Sequence, residues 1–277
     1  MWWMPSSFTP IGPQASAHAI IGAVRDGSLI PRFGRARRDP AMAVLEGLHA
    51  VKHALRFGAE LDELVTRDAA ALERLAEQLA PDLAEQLRAA HQVDAELFDR
   101  LAPLPPATGL IALARRPLPK AGDVIASGAA APLVLLENPR DLGNVGACVR
   151  VAAGADAAGV LSTGSHDPWH PDALRGAAGL HFALPVVRLE SLTPLDGASR
   201  PLLALDPDGA DLDPARLPAE AILAFGTERD GLSEELLARA DGRLRIPMRE
   251  GVSSLNLATS VAAVLFAWRL SGAGARR

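Results

Sequence analysis

The sequence predicts an α/β protein: a parallel-sheet α/β domain in the second half, preceded by a smaller alternating α/β unit. Three observations carry this prediction. From about residue 130, short apolar runs alternate with helical patterns. "PLVLLE", "AAGVLST", "ALPVVRL", "PLLALDP", "AILAFG" and "LRIPM" read as strands, and "NVGACVRVAAGA", "PDALRGAAG" and "SEELLARA" as helices between them. Such interleaving implies a parallel sheet covered on both faces. The length, 277 residues, suits two domains of ordinary size. The balance of 49% hydrophobic against 22% charged residues allows a sizeable core and argues against wholesale disorder.

Taken in order, residues 1–40 hold several Pro and Gly and the Arg-rich "PRFGRARRDP", and they read as an irregular basic arm. Residues 41–120 form the smaller unit. In "AVLEGLHAVKHALRF", Val44, Leu48, Val51 and Leu55 recur at spacings of 4, 3 and 4, the pattern of an amphipathic helix over residues 43–57 that Gly58 ends. "LDELVT" is a short strand. Residues 69–101, rich in Ala, Leu, Glu and Gln, read as two or three helices broken at Pro81, and "GLIALARRP" as a strand ending at Pro117. "PLPKAGDVIASGAAAP" is the transition into the second domain, residues 121–277, whose last element is a very apolar helix over residues 254–270.

Charge and cysteine usage narrow the function. The net charge of −5 excludes a uniformly basic coat, but residues 1–56 carry seven Lys+Arg against three Asp+Glu. A phosphate backbone responds to such a local patch more than to the chain total. The lone Cys148 excludes an intramolecular disulfide and a Cys-based zinc site, which suits a reducing cytoplasm. Residues 1–10 lack the pattern of a signal peptide, and the final helix is too short and too polar to span a membrane. His166 and His170 are four apart, but Pro168 forbids a regular helix between them, so no metal site is expected. Cys148 falls on an apolar face with Val145, Val149 and Ala152 and reads as a packed thiol.

Three loops follow strands at their C-terminal ends, where open α/β sheets bind ligands. The first, "ENPRDLGNVGACVR", has Gly143 and Gly146 to let the backbone turn and approach a ligand. It also has Asn144 as a helix cap and Arg150 within the helix. The second, "LAFGTERDGLS", holds Phe225, Gly226, Glu228 and Gly231. The third, "IPMREGVSSLNLATS", places Ser253, Ser254 and Asn256 at the mouth of the last helix, more polar residues than one cap needs.

Together these segments resemble the three signature motifs of the SpoU (TrmH-like) RNA 2′-O-ribose methyltransferases of the SPOUT class. Asn144, Gly146 and Arg150 match the first motif. Phe225, Gly226, Glu228, Gly231, Leu232 and Ser233 match the second, and Ile246, Pro247, Met248, Gly251, Ser254, Leu255 and Asn256 the third. The resemblance covers residues 130–270. More loosely, "EGLHAVKHAL" and "TGLIALARRP" resemble an L30e-like RNA-binding domain. It departs at Arg175, where the family often has a neighbouring Ser and this chain has Gly176 and Ala177.

The resemblance implies a deep trefoil knot in the second domain, whose loops bind S-adenosylmethionine. The family's cofactor contacts fall on main-chain groups of Gly226, Ile246 and Leu255, with Phe225 and Met248 beside them. It implies methyl transfer to a ribose 2′-hydroxyl of structured RNA, with 23S rRNA favoured over tRNA, by a homodimer. Arg150 would activate the hydroxyl, or stabilise the forming alkoxide and hold a phosphate. Glu228 would orient an Arg. Asn144, Ser254 and Asn256 would hold ribose or phosphate, or brace the first loop. Arg32, Arg35, Arg37 and Arg38 with interleaved Phe33, extended by Lys52 and Arg56, are the expected RNA contacts. Two rival readings stand beside this one. A Rossmann-type oxidoreductase would need Gly-x-Gly-x-x-Gly after the first strand, which "DLGNVGACVR" lacks. The other is a catalytically inactive RNA-binding relative.

Overall fold

Two sheets joined through one continuous core make up the computed structural model, which describes residues 26–227, 230–252 and 254–272. The smaller unit runs α1 (Leu29–Ala36), β1 (Met42–Glu46), α2 (Leu48–Arg56), β2 (Leu61–Thr66), α3 (Ala69–Leu79), α4 (Ala84–Arg88), β3 (His91–Gln92), α5 (Ala95–Leu101) and β4 (Leu110–Arg115). Its sheet order is β1-β4-β2-β3, with β4 antiparallel to both neighbours and β2 parallel to β3.

Two expectations for this unit change. The helix expected over residues 43–57 splits at Gly47 into strand β1 and helix α2. Ala43, Val44 and Leu45 are each buried, and a run apolar on both faces suits a covered strand better than one stripe of a helix. Within the expected irregular arm, residues 29–36 form a helix. Leu29, Phe33 and Ala36 recur at helical spacing and sink into a core with Val44, Val65, Phe98 and Ile111. Residues 1–25 lie outside the described part of the chain.

After α6 (Ala121–Ile125) the second unit runs β5 (Leu133–Leu136), α7 (Leu142–Gly154), β6 (Gly159–Ser162), α8 (Pro171–Gly176), β7 (Val186–Arg188), β8 (Leu202–Asp211), β9 (Ile222–Phe225), α9 (Glu234–Arg239), β10 (Gly242–Arg245) and α10 (Leu257–Leu270). Every pairing in its six-stranded sheet is parallel, in the order β10-β8-β9-β5-β6-β7. The chain steps outward from β5 to β7, then crosses to build β8, β9 and β10 on the other side. The order therefore reverses between β5 and β9, whose C-terminal ends open the first and second loops. That is where a parallel sheet leaves a crevice. The last strand ends at Arg245, so Ile246, Pro247 and Met248 are irregular backbone rather than strand, as Pro247 lacks an amide hydrogen for the ladder. The last helix starts at Leu257 rather than residue 254.

The units meet along a dense seam. Arg175 on α8 reaches back to Glu46, which is 7% exposed and also pairs with Arg37 at 2.8 Å. His53 on α2 donates from Nδ1 to the Ala178 carbonyl at 2.8 Å, and Arg116 pairs with Asp167 at 2.8 Å. Gly179, at φ +77°, lies so close to Ala50 that a Cβ there would fall 2.2 Å from the Ala50 carbonyl oxygen. Only glycine meets both conditions without strain.

Candidate active site

The first loop is built to hold its shape. Asp141, not Asn144, caps α7: its carboxylate accepts from the Asn144 amide at 2.7 Å. The helix begins two residues before Asn144, which removes that residue from the capping position. Asn144 instead accepts from Asn256 Nδ2 at 3.1 Å, while Asn256 caps α10 by accepting from the amides of Ala258 at 2.9 Å and Thr259 at 3.4 Å. The first and third motifs, 112 positions apart, are thereby tied side chain to side chain.

The second motif is tied to the first by residues that the sequence reading passed over. Glu137, just after β5, accepts from the Ser233 amide at 2.7 Å and from its hydroxyl at 2.5 Å. Arg140 pairs with Asp230 at 2.9 Å. A Glu directly after a buried strand is the signal that could have marked Glu137, since such a carboxylate faces the switch-point crevice. Thr227 and Gly231 close a tight turn by reciprocal main-chain bonds of 3.2 and 3.1 Å. Glu228 lies outside the described residues, as does Ser253.

A cleft of about 1070 Å³ opens between the second and third motifs. Phe225, Gly226, Ile246, Met248, Ser254 and Leu255 all line it, joined by Asp206 and Glu250. The main-chain groups of Gly226, Ile246 and Leu255 are not taken up by main-chain hydrogen bonds to other described residues. Such groups need partners, and a ligand's polar edges can supply them. Arg150 is exposed two turns into α7, and its side chain makes no ion pair with any described residue. It stands one turn beyond Gly146, on the face that meets α8. A Cβ on Gly146 would lie 2.2 Å from the Ala173 carbonyl oxygen, so the absent side chain is what lets α7 and α8 touch.

The expected RNA contacts divide. Arg32 is bonded to Glu63 at 2.5 Å, and Arg37 to Glu46. Both carboxylates are buried, so these two arginines neutralise the interior and are not a free arm. Arg56 makes two bonds to Asp82, at 2.8 and 2.6 Å, and Lys52 is only 9% exposed. Arg35 and Arg38 are exposed, with no carboxylate partner among the described residues.

The profile of the SpoU rRNA Methylase family matches residues 131–266, the span of the second sheet and all three motifs. An uncharacterized tRNA/rRNA methyltransferase of Mycobacterium bovis is 34% identical over 215 residues, which cover 72% of each chain. The chain belongs to the SpoU rRNA methylase family. The 23S rRNA (guanosine(2553)-2′-O)-methyltransferase RlmP of Bacillus subtilis is 28% identical across 83% of this chain and 88% of its own. Among solved structures, the SpoU methyltransferase AviRb of Streptomyces viridochromogenes, in complex with AdoMet, superposes with a TM-score of 0.69. That match covers 86% of this chain and 97% of AviRb at 23% identity. The SpoU fold is knotted, and the chain shares it. SpoU enzymes are S-adenosylmethionine-dependent RNA 2′-O-ribose methyltransferases, which sets the enzyme class. The cleft fits such a donor: it has room for a nucleoside and main-chain groups to read it, and its charged lining is mixed, with Asp206 and Glu250 beside Arg249 and the paired Arg245 and Asp211. No described helix is long and apolar enough to cross a membrane.

Proposed function

We propose that this SpoU-family chain methylates a ribose 2′-hydroxyl of ribosomal RNA, 23S in preference to tRNA, as a cytoplasmic homodimer. The observation that carries the reading is the convergence of Asn144, Asn256 and the Gly226–Ile246–Leu255 cleft from three separated loops. S-adenosylmethionine, when bound, supplies an activated methyl on a sulfonium. The chain's own residues do the rest. Main-chain groups at Gly226, Ile246 and Leu255, with Phe225 and Met248 beside them, hold the nucleoside.

Arg150 acts on the RNA. A guanidinium stays protonated, so it serves as a hydrogen-bond fork for the developing alkoxide and a neighbouring phosphate rather than as a base. Asn144 and Asn256 brace the start of the helix that carries it, Ser254 contacts ribose or phosphate, and Glu228 orients an arginine. Arg35 and Arg38 extend the phosphate-binding surface. The partner subunit in a homodimer would complete the site, as the exposed position of Arg150 permits.

The test is transfer of labelled methyl from S-adenosylmethionine to rRNA and to tRNA, followed by mapping of 2′-O-methyls. A new 2′-O-methyl on 23S rRNA is the expected result. Cofactor uptake without transfer to any RNA would favour the inactive relative, and neither uptake nor transfer would end the reading.

A further inference from the structure

The seam between the units carries a second feature, beside Arg150. Helix α2 lays its Ala50 main chain on Gly179 and bonds His53 to Ala178. His49 adjoins Ala50 and lies one turn before His53, so it stands at the same corner, and it is exposed. From the other unit, α7 packs on α8 through Gly146, and Arg150 stands one turn further along that face. The short helical turn Leu180–Ala183, which follows α8, packs on both α2 and α7, so His49 and Arg150 flank one corner from opposite units.

We propose that His49 and Arg150 together clamp one backbone phosphate of the RNA substrate. The inference rests on the RNA methyl-transfer reading and extends it: the smaller unit contributes a residue to the grip on the target strand. The charged and titratable groups that act on His49 are Lys52 and His53 on its own helix and Arg150 from α7; Arg56, the next cation along α2, is tied to Asp82. Glu46, under the corner, is occupied by Arg37 and Arg175. Neither His49 nor Arg150 has a carboxylate partner among the described residues.

In the free protein, partial burial and then the charges of Lys52 and Arg150 hold the His49 imidazole below its ordinary value. A phosphate placed between imidazole and guanidinium reverses the electrostatic part of that shift, and the imidazole takes up a proton as RNA binds. The sign follows from linkage. Because the bound complex holds the proton more tightly, affinity is greater at low pH and falls as pH rises through the imidazole range.

The test measures binding of transcribed 23S rRNA by the full chain from about pH 5.5 to about pH 8, a window spanning imidazole titration. Wild type should bind more tightly at the acid end. His49→Ala should weaken binding about tenfold at about pH 6 and abolish most of the pH slope. His49→Lys should restore affinity without the slope. Melting temperature and S-adenosylmethionine affinity should match wild type in both variants, since His49 is exposed and remote from the cleft lining. If wild type methylates RNA but His49→Ala keeps its affinity and pH slope, the clamp is wrong and the methyltransferase reading stands. If wild type neither binds nor methylates RNA, both fall.

Discussion

Arg150 carries the sharpest single-residue consequence. It is exposed, makes no ion pair with a described residue and lies outside the cleft lining, so its loss should leave fold and cofactor affinity unchanged. Arg150→Ala should lower the methyl-transfer rate by about 10²–10³-fold with an S-adenosylmethionine affinity like that of wild type, read by calorimetry. Asn256 does two jobs, capping α10 and holding Asn144. Asn256→Ala should cost about 1 kcal/mol in urea unfolding from the lost cap, while Asn256→Asp should recover much of that stability. The Asp variant cannot donate to Asn144 Oδ1, so it separates the two jobs: activity should remain low. His181 is buried and donates from Nε2 to the Pro168 carbonyl at 2.8 Å, leaving Nδ1 with no partner among the described residues. Burial lowers its pKa from 6.5 to about 4. A depressed value means that the unfolded chain binds the proton first as pH falls. The stability His181 contributes is therefore intact above 6.5 and lost progressively towards about 4, up to about 3 kcal/mol in all. His181→Phe should flatten that acid limb of the urea-midpoint curve.

At the scale of elements, close backbone approach decides more than side-chain chemistry. Gly146 on α7 faces the Ala173 carbonyl and the Ala177 amide of α8 and its end, all main chain that cannot swing aside. Gly146→Ala should therefore destabilise by about 1–3 kcal/mol, seen as a lower melting temperature, and should also impair activity because Arg150 rides on the same helix. This contact also marks the limit of what the chain's pattern reveals. The parallel sheet was legible because β5 and β9 are short and uniformly apolar, β6 nearly so, and helical spacing separates them. The cleft residues were legible through the likeness of three motifs, and all the described ones assigned to the cofactor do line one cavity. What was not legible has physical causes. The residues of β1 share a helix-like spacing with α2, and periodicity alone does not separate a buried strand from a buried helix turn. Arg32 and Arg37 look like a free basic arm until the buried carboxylates of Glu63, 31 positions on, and Glu46, nine positions on, are seen to hold them. Glu137 is marked only by its place directly after a buried strand, because its partner Ser233 lies nearly a hundred positions away.

For the whole molecule, the two sheets share a core, so the smaller unit is not an appendage on a loose tether. Gly179→Val would place a branched side chain at φ +77° against the Ala50 carbonyl. It should loosen the seam: limited proteolysis should then cut between residues 115 and 130, where wild type resists. Cofactor affinity should survive this change, since the cleft belongs to the second unit alone, while RNA affinity should fall. In the intact protein, Ala50 and Gly179 meet main chain on main chain, with Glu46, Arg175 and His53 locked beside them. The pair of units therefore acts as a caliper set at one opening. Under the proposed RNA reading, an RNA that offers its target ribose at another spacing from α2 would gain nothing by waiting for the jaws to adjust. Selectivity would then reside in the distance between two landmarks on the folded RNA, and inserting one base pair between them should silence a good substrate while leaving both landmarks intact.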